Sequence, residues 1–374
     1  MNGKRIWKWA YVSLVLMLVG PVVTVGPAVA QGYGGLGTQA HGFDVPSRAT
    51  SMQFPKDHGS HPGFRIEWWY LTANLQSDDG TNYGIQWTLF RSALQPPSAT
   101  PLERTSNWSA QQLWMGHAAV TTPTAHYVSE TRARGVLGLA GVQSTPFKAW
   151  INDWQLTARS PEEKTINHLG VSASGERFSY QLDLTATGPL IFHGDKGYSV
   201  KSATGQASHY YSQPHYQVSG QLNLPDGPIN VSGSAWLDRE WSSQPLAGDQ
   251  SGWDWVSVNL DDGSKLMGFR LRGGGGGDSG GDVYTSATWI SPTGETIAYP
   301  NGKLKMAEIS RSKVAGKSLP TSWRVQLADQ NIDLEIEALN KNAWMSTSFP
   351  YWEGPVVLRG SHSGRGYLEM TGYQ

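Results

Sequence analysis

The fold is decided by a segment that reads EWWYLTANL over residues 67–75, then DDG at 78–80, and then a strand that ends at Arg91. An Asp-Gly pair between two strand-like segments is a strong signal for a β-hairpin, because glycine accepts the positive φ angle that such a turn requires. The sequence therefore predicts an aromatic-rich hairpin at this position.

A second copy of this hairpin stands later in the chain. It reads GWDWVSVNL over residues 252–260, then DDG at 261–263, and then a strand that ends at Arg272. Two hairpins that share an aromatic strand, an Asn-Leu pair and an Asp-Gly turn indicate an internal duplication. We therefore predict two related domains, which span residues 54–212 and 213–374.

The composition favours an all-β fold. The 374 residues include 17 Trp, 15 Tyr, 9 Phe, 44 Gly and 21 Pro, and only 16% of the residues are charged. Aromatic residues are enriched in strands, and glycine and proline in turns. Segments such as 181–186 and 333–338 alternate polar and apolar residues, which is typical of a strand with one buried face. Since the chain has no Cys, it has neither disulfides nor thiolate sites.

The N-terminus has the order of a secretory signal peptide over residues 1–30. Lys4, Arg5 and Lys8 precede an apolar run that ends in small residues, and this order is typical of export signals. Residues 31–53 are predicted to form a flexible leader. Cleavage after residue 30 removes three positive charges, which lowers the formal net charge from −1 to −4. We expect a periplasmic or secreted protein that has no membrane span after cleavage and no basic surface for nucleic acid.

Several motifs together resemble the CrtC/AttH-like family, from about residue 54 to the end of the chain. The matching segments are EWWY (67–70), GHAAV (116–120), YYSQP (210–214), WLDREW (236–241), GWDW (252–255) and GRGYLEMTGY (364–373). This resemblance implies two packed lipocalin-like (calycin-type) β-barrels and a pocket for a long apolar molecule.

What is known of the family's activities is diverse. Its members include carotenoid 1,2-hydratases, fungal enzymes that assist Diels–Alder ring closure, and exported bacterial proteins called predicted secreted hydrolases. Some exported members stand beside ABC-transporter components, which implies such a component as a partner. The reaction does not transfer from the fold alone.

Four carboxylates stand within aromatic segments that suit acid-assisted chemistry on an apolar molecule. Hydration of an isoprenoid alkene needs a carboxylic acid that an apolar site keeps protonated, and aromatic faces that stabilise a carbocation. The candidate catalytic residues are Asp238, Glu240, Asp254, Glu67 and His117. The aromatic residues predicted to bind the substrate are Trp68, Trp69, Tyr70, Trp236, Trp241, Trp253, Trp255 and Tyr211.

Strand geometry ranks these candidates, because successive side chains point to opposite faces. Asp238 and Glu240 share one face and rank first, since two neighbouring carboxylates shift each other's pKa. Asp254 alternates with two tryptophans and is also compatible with the opposite face. His117 lies on an apolar strand, where a histidine is more often a buried structural residue than an acid–base group. Arg239 is compatible with a structural ion pair.

Other motifs are weaker. The matched positions of Arg91 and Arg272, at the ends of the two hairpins, indicate a structural role beside an acid. Residues 57–61 (DHGSH) contain two His, but without a third placed ligand we expect a surface loop. The chain has no His-Glu-x-x-His sequence and no Gly-x-Ser-x-Gly elbow between a strand and a helix. We therefore expect no metal or other cofactor, and the α/β-hydrolase class is excluded.

Two functions fit these features, and the residues leave open whether the ligand lies inside one barrel or between the two. The first is an enzyme, a hydratase or hydrolase, that acts on an isoprenoid or lipid-like molecule in an aromatic-lined pocket. The second is a periplasmic protein that binds or transfers a hydrophobic molecule with an ABC transporter, without catalysis. A third and weaker hypothesis is an envelope interaction module whose aromatic residues only fill the core.

Overall fold

The computed structural model describes residues 40–97, 111–135, 138–273 and 283–373. In these ranges the chain is built from β-strands, with two single-turn 3-10 helices at Lys56–His58 and Ala328–Gln330. The predicted all-β fold is confirmed. Neither of these helices has the length and apolar character that a membrane-spanning helix requires. The predicted signal peptide, residues 1–30, lies outside the described residues.

The first sheet forms a nearly closed barrel, called the first barrel below. Within the described residues its strands are β1 (Ile66–Ser77), β2 (Asn82–Ala93), β3 (Gln112–Thr121), β4 (His126–Arg134), β5 (Ala140–Ser144), β6 (Phe147–Ile151), β7 (Trp154–Ala158), β8 (His168–Ser174), β9 (Ser179–Ala186), β10 (Ile191–Phe192), β11 (Tyr198–Val200), β12 (Ala207–Leu224) and β13 (Gly227–Ser242). Their order in space is β4-β3-β2-β1-β13-β12-β9-β8-β7-β6-β5, and β10 and β11 pair with β12.

The second sheet forms a half-barrel. Within the described residues its strands are β14 (Gln250–Leu260), β15 (Lys265–Gly273), β16 (Tyr284–Ile290), β17 (Thr296–Tyr299), β18 (Lys305–Val314), β19 (Lys317–Leu327), β20 (Ile332–Ala338), β21 (Trp344–Met345), β22 (Tyr351–Gly360) and β23 (Gly364–Met370). Their order in space is β17-β16-β15-β14-β23-β22-β20-β19-β18, and β21 pairs with β22.

The two sheets repeat one topology, as the duplicated hairpins predict. In each sheet the first strand lies between the second strand and the last, so β1 pairs with β2 and β13, and β14 pairs with β15 and β23. Gly80 and Gly263, which close the two hairpins, have φ angles of 84° and 90°. The Asp-Gly turns therefore form as the sequence indicates.

The chain passes from the first sheet to the second at a later position than the predicted domain boundary. The division between Ser212 and Gln213 falls inside β12, which belongs to the first barrel. β13 then returns along β1 in a register that begins with Ile66 opposite Ser242. The chain passes to the second sheet only between Ser242 and Gln250, because β12 and β13 are needed to complete the first barrel.

Both units are filled by their own side chains. Inward-facing residues of β1 and β2, such as Leu71 and Trp87, belong to a core cluster that occupies the first barrel. Val256 and Trp323 belong to a second cluster on the concave face of the half-barrel. A third cluster, which includes Trp236, joins the outer faces of the two units. An apolar space lined by residues of both units remains between them.

Residues 57–61 are not the surface loop that the sequence analysis expects. Asp57 and His58 are buried, and the indole Nε1 of Trp69 donates a hydrogen bond of 3.0 Å to the His58 carbonyl. The ring of His61 stacks on Trp241 with a centroid distance of 4.0 Å. Local sequence did not reveal this position, because the partners come from β1 and β13. The described part of the predicted leader, residues 40–53, contains no strand or helix.

Candidate functional site

A cavity of about 240 Å³ lies between the first barrel and the half-barrel. It exceeds by far the roughly 30 Å³ that one water occupies, so it accommodates an organic molecule. Most of its walls are apolar or aromatic, and they come from Ile66, Trp68, Tyr70, Phe90, Leu113, Met115, Tyr210, Leu246, Trp253, Trp255, Phe269, Leu271, Phe349 and Tyr351. The polar lining includes His117, Lys201, Asp238, Glu240 and Glu369. We call this space the inter-barrel cavity.

Strand alternation decides which predicted aromatic residues reach the cavity. Trp68 and Tyr70 on β1, and Trp253 and Trp255 on β14, line it. Trp69, Trp241 and Tyr211 point the other way, into the core of the first barrel. Trp236 is on the same face of β13 as Asp238 but packs in the cluster between the units without lining the cavity. The period of two that makes a strand amphipathic thus separates a binding face from a core face.

Asp238 is the better placed of the two acids that the sequence analysis ranks first. It lies on β13 and is 2% exposed. Its Oδ1 accepts hydrogen bonds from the Trp236 indole Nε1, at 2.7 Å, and from the Ser212 hydroxyl. Burial raises the pKa of the Asp238 carboxyl to about 7, although hydrogen bonds from Ser212, Trp236 and Tyr210 lower it. A large fraction of this acid is therefore protonated at neutral pH.

Glu240 shares the cavity-facing side of β13 with Asp238, as predicted, but it is in an ion pair. The Nζ of Lys201 lies 2.8 Å from Glu240 Oε1, and both side chains are buried. The Lys201 ammonium also lies 4.3 Å from the ring centroid of Phe269 and 4.7 Å from that of Tyr210. This pair brings a carboxylate and a cation to the cavity wall without adding net charge.

Glu369 is a cavity residue that the sequence analysis missed. Its Oε1 accepts a hydrogen bond of 2.9 Å from the indole Nε1 of Trp253. Burial raises the pKa of Glu369 to about 8; the Trp253 hydrogen bond lowers it, while Asp238 and Glu240 raise it further. Glu369 is therefore mostly protonated at neutral pH.

The alternation of side chains along β23 indicates which way Glu369 points. Leu368 and Met370 point into the core of the half-barrel, which places Glu369 on the opposite face. The segment carries part of the family resemblance, but no tryptophan flanks this acid in the chain. Its tryptophan comes from the neighbouring strand, because Trp253 is on β14.

His117 lines the cavity as a neutral imidazole. Its Nδ1 lies 3.0 Å from the Tyr351 hydroxyl, and its Nε2 lies 3.2 Å from Glu130 Oε1. Burial lowers the pKa of His117, although the hydrogen bond with Glu130 raises it. Both ring nitrogens have protein partners, so His117 shapes the wall and orients Tyr351.

Glu67 and Asp254 do not reach the cavity. Glu67 is fully buried in the first barrel, where it pairs with Arg91 and Arg239. Burial raises its pKa, but Arg239 and other partners lower it well below the usual range. Arg91 therefore has the structural role that its position at the hairpin end predicts.

Asp254 occupies a matching position in the half-barrel. It is fully buried and pairs with Arg272 and, at 3.3 Å, with Arg270. The hydroxyl of Tyr373 donates a further hydrogen bond of 2.9 Å to its Oδ1. Each unit thus holds one inward-facing acid against arginine near the start of its first strand, and these two acids are structural groups rather than groups of the cavity.

This geometry defines a class of protein: two lipocalin-like units of shared topology, with an acid-lined apolar cavity between them. The sequence model of the AttH-like family matches residues 45–373. The chain belongs to the AttH-like family. No curated protein matches the sequence of the chain.

Three solved structures share the fold. An AttH protein from Nitrosomonas europaea is 32% identical, and the match covers 88% of this chain and 99% of that one with a TM-score of 0.77. Kievitone hydratase from Nectria haematococca is 12% identical, with coverage of 89% and 98% and a TM-score of 0.64. CghA in complex with Sch210972 is 12% identical, with coverage of 84% and 89% and a TM-score of 0.51. At 12% identity, kievitone hydratase and CghA show only that the fold is shared.

Proposed function

We propose that this protein is an enzyme that adds water to a carbon–carbon double bond of an isoprenoid or lipid-like molecule held in the inter-barrel cavity. The observation that carries this proposal is the environment of two acids. Asp238 and Glu369 line an apolar cavity, and burial raises their pKa values to about 7 and about 8. A protonated carboxylic acid beside aromatic rings is what alkene protonation requires.

Asp238 is assigned as the proton donor. Its proton is transferred to one alkene carbon, the π electrons form the new C–H bond, and the adjacent carbon becomes a carbocation. The rings of Trp68, Trp253 and Trp255 line the cavity and stabilise this cation through their negative faces. The apolar wall keeps bulk water away from the cation until one water attacks.

Glu240 is assigned as the acceptor of the proton that the attacking water loses. The water oxygen bonds to the cationic carbon, and one of its protons passes to the Glu240 carboxylate. Asp238 and Glu240 are two residues apart on one strand face, and return of this proton from Glu240 to Asp238 through a water in the cavity restores both groups. The net reaction adds one water, and Lys201 holds Glu240 in place throughout.

Glu369 contributes by staying neutral. A carboxylate at Glu369, in addition to that of Glu240, would repel the negative charge that Asp238 acquires when it donates its proton. Burial and the neighbouring acids keep the Glu369 proton in place. The proposal also agrees with the fold comparison, since kievitone hydratase shares this architecture.

The test uses the protein in heavy-oxygen water with a panel of linear isoprenoid alkenes. We expect one labelled oxygen on a former alkene carbon, detected by mass spectrometry. Asp238→Asn should lower the rate by roughly 100- to 10,000-fold, the usual effect of removing a general acid. Binding of the neutral dye Nile red reports whether the cavity of the variant is intact.

A binding function without catalysis is the other outcome of this experiment. In that case the protein yields a co-purified hydrophobic molecule on solvent extraction, and prolonged incubation leaves that molecule unchanged. Full activity of Asp238→Asn would also contradict the assigned role of Asp238, while leaving an enzyme at this cavity.

We also propose that the protein acts outside the cytoplasm. The support is the signal-peptide order of residues 1–30. N-terminal sequencing of protein recovered from the periplasm or medium should begin at Gln31. Association with an ABC-transporter component rests on the family resemblance and stays a prediction.

A further inference from the structure

A buried chain of hydrogen bonds joins Asp238 to the half-barrel. The Ser212 hydroxyl on β12 contacts Asp238 Oδ1, and the His193 Nε2 lies 2.6 Å from Ser212 Oγ. The His193 Nδ1 lies 2.9 Å from Thr288 Oγ1 on β16. All four side chains are at most 2% exposed. The chain therefore runs from the proposed proton donor, through the first barrel, into the second sheet.

The donors and acceptors along this chain have one consistent direction. A serine hydroxyl has a single hydrogen, and here it is donated to Asp238 Oδ1. Ser212 Oγ must then accept from His193, which places the imidazole hydrogen on Nε2. A neutral imidazole has one donor and one acceptor, so Nδ1 accepts the hydrogen of Thr288. Burial lowers the pKa of His193 well below its ordinary value, and Lys201 lowers it further, which keeps the ring neutral.

The chain determines which oxygen of Asp238 carries the acid proton. Oδ1 already accepts two hydrogens, one from Ser212 and one from the Trp236 indole. A third hydrogen on the same oxygen would crowd those donors, so the neutral acid carries its proton on Oδ2. The ring of His193 is fixed in this arrangement by its contact with Tyr210, at a centroid distance of 4.1 Å.

We propose that His193 and Ser212 are positioning residues, which hold donor hydrogens on Oδ1 of Asp238 so that the transferable proton stays on Oδ2. Thr288 makes this arrangement depend on the packing of the half-barrel against the first barrel. The inference rests on the proposed role of Asp238 as proton donor. Neither His193 nor Thr288 lines the cavity, so neither is assigned contact with the substrate.

The pKa of Asp238 is the quantity that depends on this hydrogen-bond arrangement. The charged and titratable groups that face Asp238 from the surrounding strands are Tyr70, Tyr210, Glu240, Glu369 and, through Glu240, Lys201. None of these groups is removed when Ser212 or His193 is replaced. A hydrogen bond from Ser212 favours the ionised form of Asp238, so its loss raises the pKa.

The experiment is a carbon-13 NMR titration of the Asp side-chain carboxyls in the ligand-free protein, with Asp238→Asn identifying the resonance. We expect Ser212→Ala to raise the Asp238 pKa by roughly one to two units, the effect of one hydrogen bond to a charged group. His193→Phe should give a smaller rise, and His193→Gln, which keeps a donor, should stay near the parent value. An unchanged pKa in Ser212→Ala, or a His193→Gln shift as large as that of His193→Phe, would overturn the proposal.

A second measurement needs no variant. Nitrogen-15 shifts of the unmodified protein should show His193 as the neutral tautomer with hydrogen on Nε2 between neutral pH and pH 6. Hydrogen on Nδ1 would overturn the assigned direction of the chain. Neither measurement uses turnover, so failure of the hydration assay with these results intact refutes the proposed function and not the hydrogen-bond chain.

Discussion

Trp68 and Trp69 are neighbours in the chain and lie on opposite faces of β1. The side chain of Trp68 lines the inter-barrel cavity, whereas Trp69 is buried in the core of the first barrel beside Arg239. One residue of separation thus divides ligand contact from core packing. Replacing either tryptophan by alanine removes the same side chain, but one substitution should weaken ligand binding and the other should lower stability.

Trp68→Ala should weaken binding of Nile red by roughly tenfold, because it removes one aromatic wall and about 1–2 kcal/mol of contact. It should change the free energy of unfolding little. Trp69→Ala should do the reverse, with a loss of about 3–5 kcal/mol in unfolding free energy, typical of a large aromatic residue removed from a core. Dye titration and urea unfolding measure the two quantities, and equal effects of both substitutions on dye binding would contradict the location of the site.

Both tryptophans are predicted from the sequence to bind substrate, and this is wrong for Trp69, because alternation places the two on opposite faces. A strand pattern shows that two faces exist. It does not show that the outer face of β1 is covered by β14 and β23 of a second unit. The repeated hairpins indicated two units, and their packing, which creates the cavity, follows from contacts between residues more than 150 positions apart, such as Tyr70 and Glu353.

Glu67 lies between two arginines in the core, and we expect its replacement to lower the free energy of unfolding. Glu67→Gln leaves Arg239 buried without its carboxylate, and breaking a buried ion pair from one side costs about 3–5 kcal/mol. Urea unfolding should show this loss. The matched control is Asp333→Asn, which breaks the exposed pair with Arg324 and should change the unfolding free energy little, because solvent screens such pairs. A loss of similar size in both variants would contradict the assignment of Glu67 as a structural group.

The roles of the acids were only partly readable from the sequence. Asp238 and Glu240 were ranked first on their shared strand face, and both line the cavity. Glu67 and Asp254 were nominated because tryptophans flank them, but flanking residues in a strand point to the opposite face. Glu369 was missed because its aromatic neighbour Trp253 is adjacent in space and not in sequence.

The rate of hydration should depend on pH through Asp238. Only the protonated acid donates, so the rate should be constant at low pH and fall as the pH rises through about 7, the pKa of this group. In Asp238→Glu the falling limb should persist at a shifted midpoint, whereas Asp238→Asn should show no such limb. A rate that increases through pH 7 would mean that an ionised group acts as the base in the slow step.

Glu369 should make the folded state less stable as the pH rises toward 8. Its pKa is raised from 4.5 to about 8 on folding, so the folded state binds more protons than the unfolded state between these values. The unfolding free energy therefore falls with increasing pH across this window, by about 1.4 kcal/mol per unit for each such group. Four histidines oppose this trend at lower pH, because desolvation lowers their pKa values to about 4, below the ordinary 6.5; these are His58, His126, His209 and His215.

The histidines and the other titratable groups are the same in the parent and in a Glu369 variant, so a comparison of the two slopes isolates the contribution of Glu369. Between pH 6.5 and 8, the unfolding free energy of Glu369→Gln, measured with urea, should fall by roughly 1–2 kcal/mol less than that of the parent protein. Comparing slopes cancels any constant cost of the substitution. Glu335→Gln, which removes an exposed acid of the same length on β20, is the matched control. Parallel curves for Glu369→Gln and the parent would show that Glu369 ionises normally, and the neutral role assigned to it in the cavity would then be wrong.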